Sequence, residues 1–379
     1  MTTALKYLQT KLPLLFIIGM CGCLDPYAPP VADGELDILV VDGFMDQQSA
    51  QVRLTKAVPL ATEDGLYPVE SGAVVTIEAE SGARYSVPEI SPGNYSRTNV
   101  GFTSGERYRL HITTPTREEY FSQYIELKSS PSLDSVTWRP FEDGVAIYVH
   151  THDETGNTRY YQWTYEETWE YRSKLHSAAR LTDNGEVLLR TADEDIHTCW
   201  NSRQSSQILI TSTEKFSEDR VQGFEIAFHP RGSRKLSRRY SINVRQRALT
   251  REAYEYWQEL KKNTENLGSL FDPMPSQLRG NLYSSTNSEK PVLGFFSGGS
   301  VQEKRIFIAF AELPDYLLYN PPSFCPVDSI PLAAISKYTS TTLLVSAYGS
   351  SAIEGYLSST PNCIDCRLEG GNKNKPSFW

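Results

Sequence analysis

The chain has 379 residues, a formal net charge of −9 at pH 7 and a hydrophobic fraction of 39%. Its acidic balance argues against nucleic acid or anionic lipid headgroups as partners. Beyond the first residues, no apolar stretch reaches the roughly 20 residues that a membrane-spanning helix needs.

The first residues have the order of a secretory signal peptide. Lys6 and Lys11 lie before a short apolar run over residues 12–20, and no acidic residue comes before Asp25. A run of this length fits the hydrophobic region of a signal peptide and is too short to span a bilayer. Export is therefore predicted, through a lipoprotein signal or, as the alternative, an ordinary signal peptide followed by incidental cysteines.

Cys23 is the predicted lipidation site, with Cys21 as the alternative. The small Gly22 precedes Cys23, as lipoprotein signal peptidase accepts, whereas the bulky Met20 precedes Cys21. Removal of residues 1–22, which hold two lysines and no acidic residue, takes the formal charge from −9 to −11. A diacylglyceryl group plus an N-acyl chain exceeds the two signals that stable anchoring needs.

Residues 35–128 are predicted to form a small immunoglobulin-like β-sandwich. Before them, residues 23–34 contain three prolines and a glycine, which predicts an extended tether. Short segments with period-2 alternation then follow at the spacing of an all-β sandwich, separated by turn residues. The predicted strands are 37–43, 50–54, 73–78, 84–87, 107–113 and 120–127.

Residues 131–379 are predicted to form a larger β-rich domain after a Ser/Pro boundary. Its one clear helix spans about 250–267, with Thr250 as the N-terminal cap and Gly268 as the C-terminal stop. A Pro-rich, cysteine-bearing tail follows the last strand. The fold class is therefore mainly β, and the strands predicted for this domain are 135–139, 146–150, 160–165, 187–190, 207–211, 223–228, 239–246, 292–297 and 305–310.

The four cysteines that follow the tether are predicted to form two disulfides. They are Cys199, Cys325, Cys363 and Cys366, and an even count in an exported chain indicates disulfide bridges. A zinc knuckle would need a second closely spaced pair, and a redox Cys-x-x-Cys normally opens a helix rather than lying in a Gly/Pro-rich tail. Of three connectivities, the favoured one joins one tail cysteine to Cys325 and the other to Cys199.

The densest aromatic segment, residues 160–171, offers candidate ligand contacts. On a strand, Tyr161, Trp163 and Tyr165 share one face, and an exposed stripe of flat rings could stack on sugars or grip peptides. The alternative, which we favour, is that these rings pack in a core. The basic run 234–239 predicts a charged hairpin turn or, alternatively, a docking element for an acidic partner.

The sequence contains no recognised catalytic motif. It lacks Gly-x-Ser-x-Gly, His-Glu-x-x-His, a P-loop and a dinucleotide fingerprint, so neither an enzyme nor a bound cofactor is predicted. His150 and His152, followed by Asp153, share a strand face and are the best metal candidates, and residues 193–195 are a weaker one for calcium. Solvent-exposed side chains are the favoured interpretation in both cases, and no metal site is predicted.

Several short motifs together resemble one family. Their order along the chain is similar to that of the domain-of-unknown-function family 4249, lipoproteins of Gram-negative bacteria. The motifs lie at 40–43, 160–163, 166–169, 199–200, 253–257, 268–273, 280–281, 293–296, 363–366 and 375–379.

The resemblance implies an outer-membrane lipoprotein that assists a TonB-dependent transporter in ligand capture or uptake. Asp25, close behind the lipidated cysteine, favours the cell surface over the periplasmic face. The alternatives are a structural or adhesive surface lipoprotein and an envelope hydrolase with an unrecognised site. The resemblance implies no catalytic residues.

Overall fold

The computed structural model describes residues 37–58, 68–103, 105–265, 278, 280–319 and 324–379. Cys23, the 1–22 leader and the 23–34 tether lie outside these residues. Strands make up 48% and helices 13% of the structure, which confirms the mainly β fold class. Among the described helices, none is long and apolar enough to cross a bilayer.

In chain order, the strands fall into three groups. The first group comprises β1 (Leu39–Met45), β2 (Ala50–Lys56), β3 (Val74–Ala79), β4 (Arg84–Val87), β5 (Glu89–Ser91), β6 (Asn94–Arg97), β7 (Arg107–Thr113), β8 (Glu119–Ser122) and β9 (Ile125–Glu126). The second comprises β10 (Leu133–Pro140), β11 (Gly144–His152), β12 (Tyr160–Arg172), β13 (Ala179–Leu181), β14 (Val187–Leu189), β15 (Thr198–Gln204), β16 (Leu209–Ser212), β17 (Arg220–Pro230) and β18 (Arg239–Ala248). The third comprises β19 (Leu282–Ser284), β20 (Val292–Gly298), β21 (Val301–Ala309), β22 (Val327–Pro331), β23 (Leu343–Tyr348) and β24 (Gly355–Ser359).

The first body is a sandwich of two sheets. One sheet has the order β20-β1-β2-β6-β5, and the other has the order β19-β8-β7-β3-β4, with β9 also paired to β7. Along β1 and β7 alternate residues are buried, as period-2 patterning requires. The shared core buries apolar side chains of both sheets, among them Leu39, Val41, Tyr95, Tyr108 and Phe296.

The predicted domain boundary at residue 128 is wrong, because two later strands belong to this first sandwich. β20 lies parallel to β1 over its full length, and β19 lies antiparallel to β8. The buried Asn281 side chain accepts from the Phe296 N–H at 2.8 Å and donates to its carbonyl at 2.7 Å, which fixes β20 against the chain that enters β19. Gly294 has φ +118°, and a Cβ there would lie 1.8 Å from the Val41 carbonyl oxygen.

The second body is also a sandwich. Its smaller sheet has the order β10-β11-β17, and its larger sheet has the order β15-β12-β18-β21, with β16 paired to the first half of β12. The core between the two sheets contains Val145, Ile147, Trp163, Tyr240 and Val244. At the crossing from the first body, the Lys128 N–H donates to Gly298 and the Ser300 N–H donates to Lys128, so both connections between the sandwiches run side by side.

The tail forms part of a third sheet, which the sequence-based interpretation as a Pro-rich tail misses. Its order is β14-β13-β23-β24-β22. It therefore joins β13 and β14, which lie between β12 and β15 in the chain, to the C-terminal strands β22, β23 and β24. A small core of Ala179, Leu181, Ile330 and Leu344 holds it together. The Cys325–Cys363 bridge lies within the C-terminal part, and the Cys199–Cys366 bridge ties that part to β15.

Helix α1 (Arg251–Glu265) lies at the junction of the two sandwiches. As predicted, Thr250 caps it: the Thr250 hydroxyl accepts from the Ala253 N–H at 3.2 Å. The predicted stop, Gly268, lies outside the described residues. Tyr256 and Ala253 pack against Tyr160 of the second sandwich and Phe295 of the first. A second, four-residue helix, α2 (Pro361–Ile364), lies in the tail.

Candidate functional site

The candidate aromatic contacts Tyr161, Trp163 and Tyr165 lie in the core, as the favoured interpretation predicts, and do not form an exposed stripe. Tyr161 and Trp163 are fully buried, and Tyr165 packs against the same cluster. The Trp163 indole N–H donates to Gln246 Oε1 at 2.9 Å, and the Tyr161 hydroxyl donates to Asp219 at 2.9 Å. The strand lies centrally in its sheet, and α1 covers part of its other face, so both faces are buried.

The side chains of the metal candidates are hydrogen-bonded to other groups of this chain. His150 and His152 point to the same side of β11, where His150 Nε2 contacts the Thr137 hydroxyl at 3.0 Å and His152 Nδ1 contacts Asp134 at 2.7 Å. The Asp153 carboxylate accepts hydrogen bonds within its own turn. Among the described residues, no group of three or more His, Cys, Asp or Glu side chains is arranged to hold a metal ion.

Two disulfides are present, as predicted. Cys199 is bonded to Cys366, and Cys325 is bonded to Cys363, so each bridge takes one tail cysteine. The two cysteines of the Cys-x-x-Cys motif are therefore in different bridges. Neither the zinc knuckle nor the redox pair is formed.

The basic run 234–239 is turned onto the protein and is not a hairpin. It connects β17 in one sheet to β18 in the other. Arg234 forms an ion pair with Glu369 and lies 4.1 Å over the Tyr171 ring, Lys235 pairs with the buried Glu167, and Arg239 lies 4.2 Å over Phe307. These contacts remove the main support for a docking role of this segment.

A serine–histidine contact resembles part of a catalytic triad but lacks, among the residues described, an acid that orients the histidine ring. Ser173 Oγ lies 2.9 Å from His197 Nδ1 and 3.0 Å from the Leu175 carbonyl oxygen. The carbonyl therefore competes with the imidazole for the serine proton. Asp195 accepts from the backbone N–H of His197, not from its ring.

His229 belongs to a buried charged cluster at the end of the second sandwich. Its Nε2 lies 3.6 Å from the Glu167 carboxylate, which also pairs with Lys235 and accepts from the Tyr240 hydroxyl at 3.2 Å. Burial, together with the charge of Lys235, lowers the pKa of His229 to about 4. The imidazole is therefore neutral at physiological pH.

This lowered pKa predicts acid destabilisation. Because the unfolded chain binds a proton near pH 6.5 and the folded one only near pH 4, stability contributed by neutral His229 falls as the pH drops through this window, by about 1.4 kcal/mol per unit. Urea unfolding between pH 7 and 4 should therefore show a shallower loss in His229→Gln. His152→Gln is the control of opposite sign, because the hydrogen bond that the His152 ring donates to the Asp134 carboxylate raises the pKa of His152. Equal slopes in wild type and His229→Gln would contradict this assignment.

The best candidate site is a cleft where the outer face of the β20-β1-β2 sheet meets α1 and the end of β18. Phe44 divides it into two compartments. The polar compartment, about 440 Å³, is lined by Asp42, Gln51, Arg53, Asn94, Ser96 and Arg247. The apolar compartment, about 400 Å³, is lined by Tyr124, Ile125, Leu249, Ala253 and Phe295, with Arg107, Glu126 and Glu252 at its rim.

In the polar compartment, an acidic and a basic side chain face each other without pairing. The Arg247 guanidinium lies 3.7 Å over the Phe44 ring, and its Nε has no hydrogen-bond partner among the residues that the structure describes. Burial lowers the pKa of Arg247 despite Asp42 nearby. Burial likewise raises the pKa of Asp42, although Arg247 and Arg53 oppose the shift. Asp42 remains accessible because it faces the cleft.

Stacked side chains on the outer face of the β19-β8-β7-β3-β4 sheet hold the wall of the apolar compartment. The Tyr124 ring lies under two guanidinium groups, those of Arg107 at 5.6 Å and Arg109 at 5.1 Å. Arg109 is fixed by the buried Glu78 through contacts of 2.9 and 2.7 Å, and it also covers Phe121 at 4.5 Å. The Arg109 guanidinium, held by its pairing with Glu78, therefore positions the Tyr124 ring.

A match of the sequence to a family model identifies the family of this chain. The profile of the family described as Domain of unknown function (DUF4249) matches residues 24–305. The chain belongs to this family. The match covers both sandwiches and ends within β21, so the tail motifs at 363–366 and 375–379 lie beyond it.

No curated protein matches the DUF4249 chain. Among solved structures, the segment of two fibronectin type-III domains from chicken tenascin is similar over 55% of this chain and 88% of its own, with 12% identity and a TM-score of 0.17.

Sequence reasoning misses the cleft of this DUF4249 protein. In the sequence, Asp42 stands out only as part of a family motif, and Arg247 only as the residue after a predicted strand. One signal is available: a charged residue in the centre of an otherwise apolar strand, at the position opposite the buried face. The position of α1 over that face depends on contacts between residues more than 200 positions apart, which no local pattern encodes.

Proposed function

We propose that this DUF4249 protein is a lipid-anchored envelope binding protein that captures a small ligand for a TonB-dependent outer-membrane transporter. The observation that carries the proposal is the cleft divided by Phe44, in which unpaired Asp42 and Arg247 face an aromatic surface. Ligand sites occur preferentially at domain junctions and combine apolar walls with a few convergent polar groups. The two compartments have this composition.

Anchoring is supported by the N-terminal sequence and the cysteine chemistry. The basic start, the short apolar run and Cys23 have the order of a lipoprotein leader. Two disulfides in a chain of this size are typical of an oxidising compartment outside the cytoplasm. An outer-membrane location and the transporter partner rest on the family resemblance.

A binding role is favoured over catalysis by the chemistry of the described residues. The one serine–histidine contact among these residues has no acid on its histidine ring, and the buried His229 and Glu167 are used within the sandwich. The polar compartment has one carboxylate and two guanidinium groups, Arg53 and Arg247, without a second acid or base near Asp42 among the residues that line it.

The test is purification from native membranes of the wild-type chain and of Cys23→Ser. Wild type should sediment with the outer membrane and, in mild detergent, bring down a TonB-dependent transporter that mass spectrometry identifies. Cys23→Ser should appear in the soluble fraction without the transporter, whereas Cys21→Ser should behave as wild type. Wild type purified without any such transporter, or Cys23→Ser retained in the membrane, would contradict the proposal.

A further inference from the structure

The polar compartment carries two charges that lack direct partners. Asp42 and Arg247 influence each other's charge state, yet within the described parts of the chain neither a hydrogen bond nor an ion pair joins them. Two buried carboxylates elsewhere in the described chain are paired, Glu78 with Arg109 and Glu167 with Lys235. Arg247 is half-buried and Asp42 is exposed to the cleft, so a ligand can reach both groups.

Each of the two groups would be stabilised by an opposite charge in the cleft. A ligand anion alone would satisfy the free Nε of Arg247 but would add a second negative charge beside Asp42. A ligand cation alone would pair with Asp42 but leave the guanidinium unpaired. A molecule with both charges satisfies both groups at once, and the Arg fork is suited to a carboxylate.

We propose that the cleft binds a zwitterion of the amino-acid class, with its carboxylate at Arg247 and its ammonium group at Asp42. This rests on the proposed binding function and specifies its ligand. Phe44 borders both compartments, so a ligand held by its charges in one can place an apolar side chain in the other, against Tyr124 and Phe295. The favoured members are therefore amino acids with large apolar side chains, free or at the end of a dipeptide.

The test is a matrix of ligands and variants measured by calorimetry on the chain purified in mild detergent. The ligands are phenylalanine, which has both charges, 3-phenylpropionate, which has only the carboxylate, and 2-phenylethylamine, which has only the ammonium group. We expect Asp42→Asn to weaken phenylalanine and 2-phenylethylamine at least about tenfold, while 3-phenylpropionate should bind no more weakly than to wild type because a like charge beside it is removed. Arg247→Gln should weaken phenylalanine and 3-phenylpropionate, while 2-phenylethylamine should bind no more weakly than to wild type for the same reason.

Arg245→Gln is the matched control. Arg245 lies two residues before Arg247 on β18 but is paired with Glu303 at 2.9 Å, so its loss should change no affinity. Phenylalanyl-alanine, in which the charges are further apart, distinguishes the two sources: tighter binding than phenylalanine assigns the site to peptides, and weaker binding assigns it to free amino acids.

Two results would overturn the inference. The first is that phenylalanine binds no more tightly than the two singly charged analogues, and the second is that Asp42→Asn and Arg247→Gln affect all three ligands equally. If phenylalanine fails to bind while the transporter still co-purifies, the ligand class is wrong and the proposed function stands. If the transporter is absent while the matrix holds, the ligand class stands and the transporter partner is wrong.

Discussion

Replacing Trp163 with alanine is expected to lower the free energy of unfolding of the second sandwich by about 4–5 kcal/mol. The side chain is fully buried and stacks between Tyr161 at 5.8 Å and Phe224 at 4.9 Å. Its removal leaves a large cavity in the core. It also removes the donor to Gln246, whose amide N–H₂ group remains bonded to Pro131 and Thr151 while its oxygen loses its partner.

The measurement is urea unfolding followed by tryptophan fluorescence. All six tryptophans lie between residues 138 and 379, so their signal reports the second body and the tail, whereas residues 37–128 contribute only tyrosines. Trp163→Phe should cost less than Trp163→Ala, because it loses the donor but keeps an aromatic ring. Phe216→Ala, at a ring that is 64% exposed between β16 and β17 of the same sandwich, is the surface control and should cost less than about 1 kcal/mol.

A Trp163→Ala variant that unfolds within about 1 kcal/mol of wild type would contradict the core assignment. Such a result would return this ring to the set of candidate ligand contacts. The first sandwich, followed by hydrogen exchange of peptides from residues 37–128, should unfold at the same urea concentration in all three variants if the bodies are independent. A parallel shift would show that the junction at α1 couples them.

Local structure is largely predictable from this sequence because its causes are local. Alternation in 84–87 and 107–113 predicts the bounds of β4 and β7 as they are observed. Thr250 predicts the start of α1, since a hydroxyl before an amphipathic segment satisfies a free helix N–H group. The disulfide count follows from the compartment that the leader predicts.

Partners of strands are not predictable in the same way. β20 is recognisable as a strand, but its parallel pairing with β1 joins residues about 250 positions apart. The alternation on a strand defines which residues are buried and says nothing about which strand lies beside it. The predicted domain boundary is wrong for this reason, since two strands within 131–379, β19 and β20, belong to the first sandwich.

The candidate site is not predictable from the sequence because burial and strand partners both depend on the tertiary fold. Tyr161 and Trp163 are plausible ligand contacts in the sequence because a strand with one aromatic face can expose it, but the tertiary fold buries both faces of β12. Asp42 is in the cleft because α1 and Arg247 are packed over its side of the sheet. Whether a polar residue on an outer face is solvated or lines a cleft depends on the second body, so the sequence of the first cannot show it.

Removing the Cys199–Cys366 bridge is expected to cost more stability than removing Cys325–Cys363. The sequence separations are 167 and 38 residues. The chain-entropy model gives losses of about 5 and about 4 kcal/mol for closing loops of these sizes. Cys199 and Cys366 are also fully buried beside Tyr171, whose hydroxyl donates to the Cys366 carbonyl at 3.0 Å, so packing adds to the entropic difference.

The comparison uses two double variants, Cys199→Ala/Cys366→Ala and Cys325→Ala/Cys363→Ala, in urea unfolding followed by tryptophan fluorescence. The first should have the lower midpoint, because its bridge ties β15 of the second sandwich to the tail. In the second, the loss should concentrate in the third sheet, where Cys325 lies just before β22. The reverse order of midpoints would mean that the third sheet, not the tie between β15 and the tail, limits the stability of the second body, and the entropic ranking would then be wrong.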